Sequence, residues 1–274
     1  MKGTTLIVGG TGKTGRRVAE RLQAKGVPVR IGSRSANPPF DWEDPKTWEP
    51  AVRGVTAAYV TYYPDLAVPG AAEKVKAFSE VAVKNGVSRL VLLSGRGEDG
   101  AMLGEQAVQA SGAQWTILRC GWFDQNFSEG FFRDQVMSGE VALPGGDVKE
   151  PFVDTDDIAD VAVAALTEDR HVGQLYEITG PRLLTFREAV AEVARATGRE
   201  IRYVPVSMEQ YKAMLEEYQV PADFIWLVNY LFTEVLDGRN AHQSDGVERA
   251  LGRKPRDFSE YARDAAAAGA WSQA

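Results

Sequence analysis

A glycine-rich turn near the start of the chain constrains the fold more than any other feature. The apolar residues 4–8 are typical of a buried strand, and a helical pattern follows the turn. Between them Gly10, Gly12 and Gly15 satisfy G-x-G-x-x-G, while Gly9, Gly12 and Gly15 satisfy the looser G-x-x-G-x-x-G. Glycines let backbone N–H groups approach a pyrophosphate and let the helix pack close to the strand. Strand, turn and helix together predict a dinucleotide-binding site.

The other residues of this turn are predicted to contact the same ligand. Thr11, Lys13 and Thr14 lie where a helix N-terminus offers backbone donors and a partial positive charge to phosphates. A Walker A phosphate loop is a poor alternative, because Val8 occupies the place of its first glycine.

The end of the second predicted strand, residues 28–32, indicates which dinucleotide binds. An NAD site is expected to carry an acidic residue about 20 residues beyond the glycines, to hold the ribose 2′-hydroxyl. Ser33 and Arg34 stand at that distance, and the first acidic residue is Asp41. A guanidinium binds a 2′-phosphate through a charge-assisted fork. The sequence therefore predicts NADP(H), although an exposed Arg34 without a ligand is the plain alternative.

Strand and helix patterns alternate through the first two-thirds of the chain. This alternation predicts an α/β fold, a Rossmann-type doubly wound parallel sheet. We expect a dinucleotide-binding domain over residues 1–150 and a smaller, mainly helical substrate lobe over residues 151–274, partly interleaved with the first. Ligands of such sheets bind outside the carboxyl ends of the strands, which adds Thr61 to the predicted cofactor contacts.

Composition limits the partners and the compartment. A net charge of −7 and a pI near 5.1 disfavour nucleic acid as the main partner. No apolar run reaches the roughly 18 residues of a membrane-spanning helix, and no signal peptide is evident. A single cysteine, Cys120, fits a reducing cytoplasm, and two distant histidines give no ligand cluster, so no metal is expected. The oligomeric state is left open between monomer and dimer.

Several motifs along nearly the whole chain resemble the NmrA-like group of atypical short-chain dehydrogenase/reductases. The likeness rests on residues 8–15, 92–94, 111–119, 123–126, 152–159 and 251–256. A narrower likeness, to the branch containing agroclavine and festuclavine dehydrogenases, rests on residues 122–128 and 269–271. The resemblance implies cofactor roles for Gly9, Gly12, Gly15 and Arg34. It further implies that Asp41 reaches the adenine amine and that Trp42 flanks the ring, against the alternative of a surface acid and a core aromatic.

The acid that ordinary members of this superfamily use is missing. Their Tyr-x-x-x-Lys motif would fall at Gly97 and Ala101, which lack both side chains. Ser94 remains as a candidate catalytic residue, although a serine alone is a poor acid. Reduction of a ketone creates an alkoxide that needs a proton, whereas an iminium ion becomes a neutral amine without one. The missing pair therefore favours an acceptor that is already activated, such as an iminium ion, a quinone or a conjugated carbonyl.

Aromatic side chains are predicted to bind such an aromatic or cyclic substrate. Tyr62 and Tyr63 follow the third strand, where the nicotinamide is expected, so both are candidate catalytic residues and Tyr62 a cofactor contact. A cation is attracted to aromatic faces by roughly 0.5–2 kcal/mol. The predicted substrate contacts are Tyr63, Trp122, Phe123, Asn126, Phe152, Trp226 and Tyr230. For Trp226 and Tyr230, one helical turn apart, core packing is the competing interpretation.

Three functions remain open from the sequence. The first is an NADPH-dependent reductase that transfers hydride to an activated small molecule. The second is a non-enzymatic sensor of the NmrA kind that binds NADP and a protein partner, which the missing Tyr and Lys fit equally well. The third is a redox-neutral cyclase or isomerase on the same fold.

Overall fold

The computed structural model describes residues 3–130 and 132–272, and the chain forms two compact units. Unit 1 consists of Met1–Cys120, Thr155–Ile178 and Gly246–Arg253, and unit 2 of Gly121–Asp154, Thr179–Asp245 and Lys254–Ala274. This corrects the predicted boundary at residue 150. The chain leaves unit 1 after Cys120 and returns to it twice.

Unit 1 is built on one parallel sheet. Eight strands lie within the described residues: β1 (Thr4–Val8), β2 (Val29–Gly32), β3 (Val55–Val60), β4 (Arg89–Gly95), β5 (Gln114–Cys120), β6 (Glu140–Leu143), β7 (Gln174–Ile178) and β8 (Arg202–Pro205). Six of them form a sheet in the order β2-β1-β3-β4-β5-β7, and every neighbouring pair is parallel. The predicted doubly wound α/β fold is confirmed. The strand that pairs with β5 is β7, which lies beyond residue 150. A parallel partner cannot follow through a tight turn and needs a crossover connection.

Helices flank the sheet and form most of unit 2. Within the described residues the α-helices are α1 (Lys13–Ala24), α2 (Trp48–Val52), α3 (Ala71–Lys84), α4 (Asp99–Gln109), α5 (Asn126–Glu129), α6 (Phe132–Ser138), α7 (Thr155–Thr167), α8 (Phe186–Thr197), α9 (Met208–Glu217), α10 (Ala222–Tyr230), α11 (Gly246–Leu251) and α12 (Phe258–Ala267). Helix α7 is buried along most of its length and packs on α1 and on β3 to β5. Its small apolar side chains allow this close approach to the sheet.

The second return of the chain to unit 1, through Gly246–Arg253, is stabilised by close backbone packing and by ion pairs. A Cβ on Gly246 would overlap the Glu177 carbonyl oxygen of β7, so only glycine allows α11 to lie this close. The Arg253 guanidinium lies 2.7 Å from the Asp157 carboxylate and 2.6 Å from that of Asp160, both on α7. Since Asp157 is fully buried, Arg253 supplies the positive charge that a buried carboxylate requires.

Unit 2 has an aromatic core of its own. Phe127, Phe132 and Phe186 are fully buried there. The ring centroid of Phe132 lies 5.3 Å from that of Phe127 and 6.0 Å from that of Phe186. The buried Trp271 indole donates a 2.8 Å hydrogen bond to the Phe127 carbonyl oxygen. Strands β6 and β8 form a separate parallel pair. The C-terminal segment is therefore an integral part of this core.

Candidate functional site

The glycine turn links β1 to α1 in unit 1, as predicted. Gly9 adopts φ 68°, and its carbonyl oxygen accepts a 2.8 Å hydrogen bond from the Gly12 N–H. A Cβ on Gly15 would overlap that carbonyl oxygen and lie 2.8 Å from the carbonyl carbon. Gly12 is exposed at the N-cap of α1, whose first turn holds no acidic residue. The positive end of the helix is thus left for an anion, and the glycines allow it to approach.

The end of β2 lies beside this turn. Gly9 and Gly10 donate backbone hydrogen bonds to the Gly32 carbonyl oxygen over 2.9 and 3.3 Å. An open depression of about 560 Å³ is lined in part by Thr11, Ile31, Ser33 and Ser35. Ser33 is half-buried, and its hydroxyl lies 3.3 Å from that of Ser35. Its lining also includes Thr4, Pro28, Val29 and Arg30, so the depression runs along β2 from the amino end of the strand to the turn and to Ser33.

Arg34 follows Ser33 and is exposed. Within the part of the chain that the structure describes, its guanidinium has neither an ion-pair nor a hydrogen-bond partner. The arginines of the α1–α7 face differ, since Arg21 contacts Asp156 and Asp160. A cation without a partner beside the depression can bind a phosphate without first breaking an ion pair.

Thr61 connects three segments at the carboxyl end of β3. Its hydroxyl donates a 3.1 Å hydrogen bond to the Val8 carbonyl oxygen, and its side chain fills the space above Gly9. Its carbonyl oxygen accepts a 3.1 Å hydrogen bond from the Trp42 indole N–H. Thr61 thus positions the glycine turn, and direct contact with a cofactor stays a prediction.

Asp41 and Trp42 occupy different environments. The Asp41 carboxylate is half-buried and accepts a 3.0 Å hydrogen bond from the Glu43 N–H. Trp42 is 9% exposed and packs among Phe40, Trp48 and Phe78 with centroid distances of 5.1 to 5.9 Å. The structure therefore favours the core-aromatic interpretation of Trp42, which leaves little of the ring to flank an adenine.

The two tyrosines after β3 also differ. Tyr63 is 77% exposed, while the half-buried Tyr62 ring packs on Trp42 at 5.0 Å between centroids. Lys74 pairs with Glu43, and its positive charge acts on the Tyr62 hydroxyl. Burial raises the pKa of Tyr62, and the Lys74 ammonium offsets part of that rise. Tyr62 and Lys74 therefore interact electrostatically, although they come from the loop after β3 and from α3 rather than from a Tyr-x-x-x-Lys motif.

Ser94 has a buried partner that sequence reasoning missed. Its hydroxyl donates a 2.6 Å hydrogen bond to the carboxylate of Glu105, which is 3% exposed. Arg119 of β5 donates two hydrogen bonds to the same carboxylate over 2.7 and 2.6 Å. Because its hydroxyl hydrogen is used inside the protein, Ser94 is placed to hold α4 against β4 and β5. The predicted catalytic role of Ser94 remains a prediction.

A second pair that sequence reasoning missed lies at the ends of β3 and β4. The carboxyl groups of Asp65 and Glu98 interact electrostatically. Glu98 is 6% exposed, and Asp65 is half-buried. Burial and the negative charge of Asp65 raise the pKa of Glu98 well above its usual range. Each lies a few residues beyond a predicted strand, but no spacing rule joins residues so far apart in sequence.

The remaining predicted substrate contacts lie in unit 2. Trp122 and Phe152 are buried in its aromatic core, at 7% and 3% exposure. Phe123 and Asn126 are half-buried. Trp226 is 41% exposed and stacks on Tyr230 of the same helix, 5.4 Å between centroids and 7° between planes. Packing therefore accounts for Trp122 and Phe152, and a substrate role for all six residues stays a prediction.

Comparison with protein families gives a match over more than half of the chain. The model of the NAD(P)H-binding family covers residues 9–169, from the glycine turn to the end of α7. An NAD(P)H azoreductase of Xenophilus azovorans is 32% identical over 96% of this chain and 98% of the relative. An agroclavine dehydrogenase of Claviceps fusiformis is 30% identical over 95% of this chain and 96% of the relative.

Solved structures share the fold. An NADPH-dependent quinone oxidoreductase of Escherichia coli, solved with NADPH, superposes with a TM-score of 0.79, 19% identity and coverage of 95% and 99% of the two chains. A mutant NmrA superposes with a TM-score of 0.70, 16% identity and coverage of 96% and 95%. The resemblance to the agroclavine/festuclavine branch is confirmed, and the likeness to NmrA shows a shared fold. Among the described residues, none of the helices is long and apolar enough to cross a membrane.

Proposed function

The chain belongs to the NAD(P)H-binding family and is an oxidoreductase, and we propose that it transfers hydride from NADPH to an activated small-molecule acceptor. One observation carries the choice of NADPH: an exposed Arg34 without a partner among the described residues, next to a glycine turn that a Cβ would close. The turn would bind the pyrophosphate through α1, and Arg34 with Ser33 would bind the 2′-phosphate. When bound, the nicotinamide supplies the hydride.

The residues around the glycine turn fit a dinucleotide. Gly15 allows contact between α1 and the turn, Gly12 leaves the helix N-terminus accessible, and the depression beside Ser33 offers room for a ribose. Thr61 and Trp42 hold the end of β3, so the loop that carries Tyr62 is anchored before ligand binds. Binding to a site that is already ordered loses less free energy to the ordering of side chains and loops. Correct orientation of the reactants is also a large part of what hydride transfer requires.

The proposed class of acceptor follows from which proton donors the chain has. Its sequence has no Tyr-x-x-x-Lys motif, and the Ser94 hydroxyl donates to Glu105. Relatives named azoreductase and agroclavine dehydrogenase, together with a quinone oxidoreductase fold neighbour, support an acceptor with a polarised double bond. Iminium ions, quinones, conjugated carbonyls and azo compounds share this property. An iminium ion needs no proton after it takes hydride, whereas the others become anions that do.

A nucleotide-oxidation assay tests the proposal. The wild-type protein is mixed with NADPH or NADH and a panel of cyclic iminium ions, quinones and azo dyes, and loss of the reduced-nicotinamide absorbance is followed. We expect turnover of at least one acceptor class, and at least about ten-fold higher kcat/KM with NADPH than with NADH because of the Arg34 contact. Tight NADPH binding without turnover of any acceptor would overturn the reductase assignment and favour the sensor.

A further inference from the structure

Helix α10 has a buried side and an exposed side. Phe224 packs against the aromatic core of unit 2, and Leu227 and Val228 are buried on the same side of the helix. Trp226 and Tyr230 lie one helical turn apart on another side. Trp226 is 41% exposed, and neither ring is among the described side chains that pack against that core. Core packing therefore does not account for these two aromatic residues.

The two rings form a flat surface. Their planes differ by 7° and their centroids lie 5.4 Å apart, which is an offset stack along the helix. Contact with Tyr230 orders the Trp226 indole while part of the indole stays accessible. A ligand that binds to a ring already held in place loses less free energy to the ordering of side chains. The Trp226–Tyr230 stack is therefore preorganised for a planar ligand.

An irregular helical turn follows the stack directly. Tyr230 is the last residue of α10, and Leu231–Val235 is π-helical. The Leu236 N–H donates a 2.9 Å hydrogen bond to the Leu231 carbonyl oxygen, five residues earlier. Such π-turns are rare and occur frequently at functional sites. The irregular backbone therefore coincides with the exposed rings.

Carboxylates lie one turn to either side of the stack. Asp223 precedes Trp226 by three residues and Glu234 follows Tyr230 by four, spacings that bring side chains to neighbouring positions on a helix. Both carboxylates are exposed, and within the described part of the chain neither has an ion-pair partner. Their negative charge is therefore available to a ligand on the rings.

The surrounding segment is acidic as a whole. Residues 207–239 contain six acidic and two basic residues, which gives −4 of the chain's net charge of −7. Both bases are paired with acids of the segment, Lys212 with Glu216 at 3.8 Å and Arg239 with Asp237 at 2.8 Å. A surface of this sign attracts cations and repels anions.

Charge discriminates among the possible occupants of this surface. A second copy of the same surface would bring like charge against it, and nucleic acids and anionic lipids are repelled as well. A neutral aromatic ligand gains from contact with the ring alone. A planar aromatic cation gains from stacking, from cation–π attraction to Trp226 and from the two carboxylates.

We propose that the Trp226–Tyr230 stack, together with Asp223 and Glu234, binds a planar aromatic cation, such as a heteroaromatic ring with a quaternary nitrogen. The cation lies against the accessible part of Trp226, and the two carboxylates balance its charge. No bond forms or breaks at this site. The proposal therefore goes beyond hydride transfer and does not depend on it.

Titration calorimetry without any nucleotide tests the site. The probe is N-methylquinolinium, and the matched neutral compound is quinoline, which is uncharged at about pH 8. We expect the wild-type protein to bind the cation at least about ten-fold more tightly than quinoline. Binding of the cation should weaken several-fold as the salt concentration rises from about 0.02 M to about 0.2 M, because the carboxylates are exposed.

Variants locate the bound cation. Trp226→Leu should weaken its binding by about ten-fold, and Trp226→Phe, which keeps a ring, should weaken it less. Asp223→Asn/Glu234→Gln should weaken binding of the cation by about three- to ten-fold and leave that of quinoline unchanged. The matched control is Glu20→Gln/Glu80→Gln, which makes the same change in net charge at two exposed carboxylates of unit 1. It should bind the cation as the wild type does.

Several results would overturn the proposal. They are an absence of heat with the cation, equal affinity for the cation and quinoline, equal losses in the two double variants, or binding that Trp226→Leu leaves unchanged. Sedimentation of the wild type and Trp226→Leu adds a further test, since a dimer that this substitution dissociates would identify a second copy as the occupant. A protein that binds the cation but reduces no acceptor would refute the proposed function and leave this site intact.

Discussion

At the scale of single residues, the glycine turn behaves as its sequence predicts, because each glycine requirement is local. Gly9 needs a positive φ, and Gly15 needs the space that a Cβ would take from the Gly9 carbonyl group. Asp65 and Glu98 show the limit of such reasoning. Their charges interact because the loops after two neighbouring parallel strands come close together, and a residue spacing along the chain carries no signal for that.

Replacing Gly15 by alanine tests the turn. The new Cβ would overlap the Gly9 carbonyl oxygen, and overpacking of this kind costs about 1–3 kcal/mol. We expect a lower free energy of unfolding by chemical denaturation and a loss of NADPH binding by calorimetry. Gly121→Ala is the matched control, because its Cβ would lie an ordinary 3.5 Å from Glu150. Equal behaviour of the two variants would contradict the account of the turn.

Replacing Arg34 by serine tests nucleotide selection. Loss of a charge-assisted hydrogen bond of about 1.5–3 kcal/mol should weaken NADPH binding by about ten-fold or more and leave NADH binding unchanged. Titration calorimetry with each nucleotide measures both affinities. Arg53→Ser is the control, since Arg53 is exposed and pairs only with Glu49 of its own helix among the described residues. Parallel losses for NADPH and NADH in Arg34→Ser would refute the proposed contact with the 2′-phosphate.

At the scale of elements, strong local signals located helices and strands well, and weak ones did not. Thr185 and Glu188 have the spacing of a capping box in the sequence, and the box is present before α8, with reciprocal bonds between the two residues. Gly198 ends that helix at φ 64°. Strands β6 and β8 were not predicted, because each spans four residues without a long apolar run and is stabilised by pairing with the other. Their existence depends on tertiary contact, which local propensity does not contain.

The capping box has a measurable energetic consequence. Thr185→Ala removes the acceptor of the 3.1 Å bond from the Glu188 N–H, which should lower the free energy of unfolding by about 1 kcal/mol. Urea denaturation measures the change. Thr233→Ala, which removes an exposed hydroxyl bonded within its own helical segment, should change it by less than about 0.5 kcal/mol. A smaller effect at Thr185 than at Thr233 would contradict this assignment.

Asp257, the N-cap residue of α12, links the stability of the protein to pH. Two hydrogen bonds from Arg182 lower the pKa of Asp257, the N-cap of α12, to about 2. Because the folded pKa lies below the unfolded value, the stabilisation is complete above about pH 4 and is lost as the pH falls towards 2. Arg182→Ala should remove about 1 kcal/mol of it at neutral pH, allowing for partial exposure. The free energy of unfolding is measured for both proteins at several pH values. A difference between wild type and variant that stays constant from pH 4 to 2 would contradict this.

At the scale of the whole molecule, the fold class followed from the alternation of strands and helices, but the division into units did not. The sequence predicts a substrate lobe over residues 151–274, partly interleaved with the first domain. In the structure α7, β7 and α11 belong to unit 1, and β7 completes its sheet. The reason is topological, since an edge strand can be supplied by any later segment that a crossover can reach. Because the units are interleaved, residues near the end of the chain stabilise each of them. Arg253 does so in unit 1, and Trp271 does so in unit 2.

Direct transfer of hydride from NADPH is the central claim, and isotope transfer tests it most directly. NADPH deuterated at C4 of the nicotinamide is mixed with the wild-type protein and an iminium acceptor, whose reduction forms a C–H bond, for a single turnover, and the mass of the product is measured by mass spectrometry. We predict one deuterium in the reduced product, carried from the nucleotide without exchange with water. Product that lacks deuterium with both C4 epimers, or an acceptor panel that stays unreduced while NADPH remains tightly bound, would contradict the account.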